Sequence, residues 1–302
     1  MKLGLMTAAF PTLTLEQVAE WSAANGFEAL EIAAWPAAGA DRRRYAGVSH
    51  LDVERLDERA VRNLMNRHHL TISSLAYYPN NLDGLAAARQ EAHEHLKKVI
   101  LAAEKLGVDI VGTFIGRDQG RSVSENLAEF RQVWPPLIRF ATEHGVKIAI
   151  ENCPMIFSED EWPGGKNLAY SPAIWRQMFT EIPNPNFGLN LDPSHLVWQF
   201  IDYERAVRDF ADRILHVHAK DMHVDRDRLY EEGVMSLGMG WQIPKLPGLG
   251  DINWDRFISA LYGIGYDGVV SVEHEDRKFE GDVELVEKGF VLARNTLRPL
   301  IV

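Results

Sequence analysis

Eight short apolar runs, each followed by a stretch of helical composition, recur along this chain of 302 residues. The runs at 2–8, 27–33, 70–76, 109–115, 147–152, 187–192, 214–219 and 268–273 have the length and residue content of strands. Strands that alternate with helices are the sequence pattern of βαβ units on a parallel sheet. Eight such units within about 250 to 300 residues predict a closed (β/α)8 barrel, an α/β fold whose functional groups gather at the C-terminal ends of the strands. A doubly wound sheet is the structural rival. Strand one, however, leads into Thr7-Ala8-Ala9-Phe10-Pro11 without G-x-G-x-x-G, and no G-x-x-x-x-G-K-[ST] occurs.

Local punctuation agrees with this division. Thr14 with Gln17 and Ser122 with Glu125 have capping-box spacing, and Ser171 followed by Pro172 fits an N-cap and first helical position. Gly26, Gly107, Gly145 and Gly265 each stand between a helical pattern and a strand, where a C′ glycine is expected. No linker or change of composition interrupts the series, so residues 1–302 are expected to form a single TIM barrel domain. The longest loops are expected after strand five (154–170) and strand seven (222–253), at the functional end.

The net charge of −11 disfavours phosphate backbones, which attract clustered Lys and Arg, so nucleic acid is not an expected partner. One cysteine, Cys153, allows no intrachain disulfide and suits a reducing cytoplasm. No window approaches the roughly 18 apolar residues that span a bilayer, so no membrane association is expected.

Four of the strands end in groups that can bind a metal: Lys147-Ile-Ala-Ile-Glu151, Phe187-Gly-Leu-Asn-Leu-Asp192, Ile214-Leu-His-Val-His218 and Gly268-Val-Val-Ser-Val-Glu273. Strand side chains alternate, so Ala149 and Glu151 share a face, as do Asn190 and Asp192, His216, His218 and Lys220, and Ser271, Glu273 and Glu275. That face is polar, while the intervening Ile, Leu and Val residues suit packing on helices. Buried carboxylates must be paired, protonated or bound to a cation. Lys220 alone cannot balance Glu151, Asp192 and Glu273, so a mononuclear divalent site is expected: Mn²⁺ first, with Co²⁺, Mg²⁺ or Zn²⁺ as alternatives.

These motifs, together with Leu191-Asp192-Pro-Ser-His195, His216-Val-His218-Ala-Lys-Asp221 and Pro247-Gly-Leu-Gly250-Asp-Ile-Asn-Trp254, resemble the xylose isomerase-like TIM barrel superfamily. The likeness is to its sugar phosphate isomerase, ketose 3-epimerase and inosose dehydratase branch. It implies that Glu151, Asp192, His218 and Glu273 hold the metal, that Glu151 and Glu273 act as acid and base, and that His195 contacts substrate. Lys220 would touch a substrate oxygen or pair with a carboxylate. The chain departs from the two-metal xylose isomerases, and strands three and four end in Ala76-Tyr77-Tyr78 and Thr113-Phe114, without the histidines of the endonuclease branch.

The implied reaction is proton abstraction α to a carbonyl through a metal-stabilised enediolate, giving epimerisation or isomerisation according to where the proton returns. Loss of a β-hydroxyl or glycosidic group would instead make the protein a lyase or dehydratase on an inosose or 3-keto-sugar. A non-catalytic sugar-binding barrel and an AP-endonuclease-like nuclease are the remaining alternatives. Trp35, Tyr77, Tyr78, Phe114, Trp162, Trp198 and Trp241 could stack on a sugar, Tyr77 being the expected substrate contact. Arg117 and Arg121 are the only basic cluster after strand four, so a free or oxidised sugar is expected over a sugar phosphate. Cys153 has no histidine partner implied by the local sequence and reads as a packed thiol. Homo-oligomerisation, as a dimer or tetramer, is expected from the resemblance.

Overall fold

A computed structural model describes residues 1–36, 48–156, 165–234 and 240–302. Its strands are β1 (Lys2–Met6), β2 (Ala29–Ala33), β3 (Thr71–Ala76), β4 (Ile110–Thr113), β5 (Lys147–Glu151), β6 (Phe187–Leu191), β7 (Ile214–Ala219), β8 (Asp221–Val224), β9 (Gln242–Lys245) and β10 (Val269–Val272). Eight of them are the expected runs. They close a barrel in the order β1-β10-β7-β6-β5-β4-β3-β2, every neighbour pair parallel and β1 joined to β2.

Around the barrel lie α1 (Leu15–Ala24), α2 (Glu58–His68), α3 (Ala86–Leu106), α4 (Val123–Glu143), α5 (Pro172–Glu181), α6 (Ser194–Val197), α7 (Tyr203–Asp209), α8 (Arg226–Glu232), α9 (Trp254–Gly263) and α10 (Val283–Leu297). Both expected capping boxes form, with Thr14 and Ser122 each bonding reciprocally to the residue three ahead. Ser171 precedes α5 with Pro172 in its first turn, but its side chain makes no capping bond. The four expected C′ glycines have φ between 69° and 77°, which only a residue without Cβ adopts at little cost.

Outward strand residues Leu3, Leu5, Leu30, Ile32, Val111, Ile148, Ile150, Leu189, Leu191, Val217, Val270 and Val272 are buried in one apolar layer with the helices. The last helix seals the first strand: Phe290 of α10 packs 5.2 Å from Phe10 and 6.0 Å from Phe27.

The segment after β7 differs from the long loop expected there. It carries α8 and an antiparallel hairpin, β8 with β9. The reason is Asp221, whose buried carboxylate accepts hydrogen bonds from the backbone N–H of Met222, Gly248 and Ile252 and from Trp254 Nε1, at 2.8 to 3.1 Å. One side chain thereby fastens both ends of the segment to the barrel rim. Gly250 is needed there, because a Cβ would run into the same carboxylate.

Candidate metal centre and active site

The barrel lumen is polar, and small residues make room for it. Gly4 pairs with Ser271 and Ala29, and Gly112 with Ala76 and Ala149, along the lumen side of the strands. Above this floor, Glu151 at the end of β5, Asp192 one residue past β6, His218 in β7 and Glu273 one residue past β10 converge, offering ligand atoms within 4.8 Å of one another. All four are buried. Glu151 Oε1, Asp192 Oδ2 and His218 Nδ1 have no hydrogen-bond partner. Carboxylate oxygens and an imidazole nitrogen, buried and left without hydrogen bonds, fit a divalent cation.

Lys220 projects into the same group. Its Nζ lies 2.7 Å from Glu273, 3.1 Å from Asp192, 3.2 Å from Glu275 and 3.8 Å from Glu151. Four carboxylates thus share one ammonium. The Asp192 contact is an ion pair by distance only, because its geometry does not make a hydrogen bond, so Oδ2 remains available. Burial would push the Glu273 carboxyl up, but Lys220 and His218 hold it below the usual range. Glu151 is likewise lowered against its burial, by His195, His218 and Lys220. Both glutamates therefore stand ionised and able to accept a proton.

His218 is oriented by a residue that the sequence reading missed. Glu31, fully buried on β2, lies with Oε2 2.8 Å from His218 Nε2 and Oε1 2.7 Å from the Tyr78 hydroxyl that donates to it. Burial would raise the Glu31 carboxyl, but the His218 charge and these hydrogen bonds lower it to about 2. An ionised carboxylate only accepts, so Nε2 points its proton at Glu31. Burial would lower the His218 pKa, but Glu31, Glu273 and Glu151 hold it well above the usual imidazole value, so Nδ1, 3.2 Å from Glu273, also carries a proton that a metal ion held there would displace. His216 donates from Nδ1 to Asn190 Oδ1 at 3.0 Å, and Asn190 Nδ2 donates to the Tyr78 hydroxyl at 2.9 Å. Burial lowers His216 to about 4, which keeps its ring neutral. Pairing registers slip at Leu30/Glu31 and at Leu189/Asn190, re-aiming both side chains at the places where this network needs them. A lone acid within Ala29-Leu-Glu-Ile-Ala33 was the available sequence signal for Glu31.

The expected substrate contacts separate. His195, on the short helix α6, reaches the cluster, with Nε2 3.3 Å from Asp192 and 3.5 Å from Glu151. Tyr77 does not lie among these groups: its ring packs edge-on against Trp35 at 4.9 Å and His95 of α3 at 4.6 Å. Its neighbour Tyr78 is the tyrosine that enters the lumen, because the alternation of β3 carries past Ala76 in that phase. Cys153, expected to lack a histidine, faces His195. Tyr78, Phe114 and Met155 form an apolar wall with Met6, Ala8, Ala33 and Ala76 over the β1 to β4 half of the mouth. Trp198 and Trp241 pack together beside β8 instead. Trp162 lies outside the described residues. Arg121 pairs with Asp118 and Glu129, each at 3.5 Å. His68 and His69 close α2 at the opposite end of the barrel.

The model of the xylose isomerase-like TIM barrel family matches residues 19–295. The chain belongs to this family. Uncharacterized protein YfiH of Bacillus subtilis strain 168 is 33% identical over 152 residues, 47% of this chain and 45% of its own. The chain therefore matches about half the length of that relative. Among solved structures, the IolI protein with a bound zinc atom superposes with a TM-score of 0.74 at 20% identity, over 100% of this chain and 98% of the other. A D-psicose 3-epimerase with D-fructose gives 0.72 at 15%, covering 100% and 99%. The probable 3-DHS dehydratase AsbF of Bacillus anthracis gives 0.71 at 16%, covering 99% of each. At these identities the likeness establishes the shared barrel. No described helix is long and apolar enough to cross a membrane.

Proposed function

We propose that this protein is a divalent-metal-dependent sugar isomerase or epimerase that removes the proton α to a carbonyl. The observation that carries the reading is the buried set Glu151, Asp192, His218 and Glu273, three of whose ligand atoms have no hydrogen-bond partner. Those residues would hold Mn²⁺, with Co²⁺, Mg²⁺ or Zn²⁺ as substitutes, and the zinc in the IolI structure accords with such a donor set. When bound, the ion polarises the carbonyl of a hydroxy-ketone and offsets the charge that develops on its oxygen.

The residues do the rest. Glu151 and Glu273 arise from β5 and β10, on either side of the β6–β7 pair, and so approach the centre from two directions. One accepts the α-proton, and the other, after taking a proton from solvent, would deliver it to the opposite face, which inverts that carbon. Lys220 and His195 lie close enough to these carboxylates to bind the substrate oxygens beside them. The apolar wall of Tyr78, Phe114 and Met155 suits the C–H face of a sugar. With Arg121 already paired to acids, a free or oxidised sugar fits better than a phosphorylated one. The second reading, a lyase or dehydratase, uses the same abstraction followed by loss of a β-group, and the AsbF likeness favours keeping it.

The test is metal analysis followed by NMR of ketoses, inososes and 3-keto-sugars in D₂O with the Mn²⁺-loaded protein. Metal-dependent loss of one C–H signal is the expected result, and the product separates epimerase, isomerase and lyase. Metal bound with no exchange on any of these sugars would refute the reaction.

Glu31→Gln tests the orientation of His218. The amide nearly preserves volume but removes the charge that fixes the Nε2 proton, so metal affinity measured by calorimetry should fall about 10- to 100-fold, the usual effect of losing such a partner. Unchanged affinity would mean that Glu31 only fills the lumen.

A further inference from the structure

Overlapping the four-residue cluster at Glu151 lies a second set of donors, two of which the proposed reaction does not use as ligands. Glu151, Cys153 and His195 present ligand atoms within 4.8 Å of one another. Glu151 and Cys153 are two residues apart at the end of β5, and His195 is one turn past Asp192 on α6. Neither ring nitrogen of His195 has a hydrogen-bond partner although the residue is only 7% exposed, and Glu151 Oε1 is in the same position at 2%. Cys153 Sγ accepts one weak bond, from the Met155 backbone N–H at 3.3 Å, and the thiol faces His195.

Charge points the same way. Glu151, Asp192, Glu273 and Glu275 surround the single ammonium of Lys220. One divalent ion brings that group to −1. The charge that remains favours a second cation, which has to displace the proton that burial holds on the Cys153 thiol.

We propose that Glu151, Cys153 and His195 form a second metal site of thiophilic character, with Glu151 bridging the two ions. Thiolate, imidazole and carboxylate together select Zn²⁺, Cd²⁺ or Co²⁺ over Mg²⁺ and Mn²⁺, which prefer oxygen. Binding displaces the Cys153 S–H proton to solvent as the metal–sulfur bond forms, with no change of oxidation state. An ion there also occupies His195, so a thiophilic metal in excess removes that imidazole from any substrate.

Metal-free protein is titrated with Cd²⁺ and with Co²⁺, following bound metal by equilibrium dialysis and the ultraviolet charge-transfer band of the metal–thiolate bond. The wild type should take up two ions, one of them with the thiolate band. Cys153→Ser should take up one fewer and lose the band. His195→Ala should weaken the band-forming ion at least tenfold while leaving the other in place. Circular dichroism and thermal unfolding of both variants establish that they fold. Absence of the band in saturated wild type, or a Cys153→Ser variant that keeps two ions, overturns the site. A band-forming ion without the band-free one would leave this site standing and remove the support for the proposed reaction.

Discussion

Glu273→Gln is expected to lower metal-dependent α-proton exchange by at least about a thousandfold, within the 10²- to 10⁴-fold range that a positioned acid or base contributes and near its upper end because the proposed function makes the residue a ligand as well. Its Oε2 lies 2.7 Å from Lys220 Nζ and 3.2 Å from His218 Nδ1, so the substitution replaces an acceptor with an amide at the centre of the cluster. The Gln side chain cannot take the proton, and its N–H₂ presents donors toward a lysine that is itself a donor. Glu151→Gln provides the comparison. If one glutamate abstracts and the other reprotonates, one variant should lose all exchange, while the other should still wash the α-hydrogen out into D₂O without inverting the carbon. Deuterium incorporation and product are read together by NMR, with metal content determined on the same samples, so that loss of the ion is distinguished from loss of the base. Two variants that both retain wild-type exchange with full metal occupancy would exclude this chemistry.

Asp221→Ala is expected to be the most damaging change outside the metal cluster. It strips the acceptor from three backbone N–H groups and the Trp254 indole at once, in a place from which water is excluded. Each orphaned buried donor costs about 1–3 kcal/mol, less what relaxation recovers, so the net loss should be on the order of 3–5 kcal/mol. In a protein of this size that corresponds to a fall in Tm of about 10 °C. Asp221→Asn retains an acceptor and should lose less than half as much. Denaturant unfolding of the three proteins measures this. A loss below about 1 kcal/mol for Asp221→Ala would mean that the rim is held by its apolar contacts. Because Asp221 adjoins Lys220, the same variant should bind metal more weakly.

The resemblance and the strand pattern together made much of the site readable. Glu151, Asp192, His218 and Glu273 each terminate an apolar run, and strand ends on a closed barrel share one rim, so their convergence followed from counting eight units. Glu31 was not readable in that way. It sits inside its strand, with no motif around it, and its partner His218 is 187 residues further on. The choice between Tyr77 and Tyr78 was equally closed to the sequence: adjacent residues point opposite ways, and the phase beyond the last paired residue depends on how the chain leaves β3. Cys153 and His195 are separated by β6 and the segment before it, so their meeting appears only once β5 and β6 lie side by side. Asp221 read as part of a family motif, but its role as a clamp required the return of residues 248–254 to the rim.

The sequence alone determined what short-range physics can encode: the period-two strands, the capping boxes, the glycines with positive φ, and hence the number and order of βα units. Tertiary structure decided which polar groups face each other across the closed lumen. Those contacts join residues tens to hundreds of positions apart, and they exist only because closing the barrel turns strands that are distant in the chain toward one another across a single lumen.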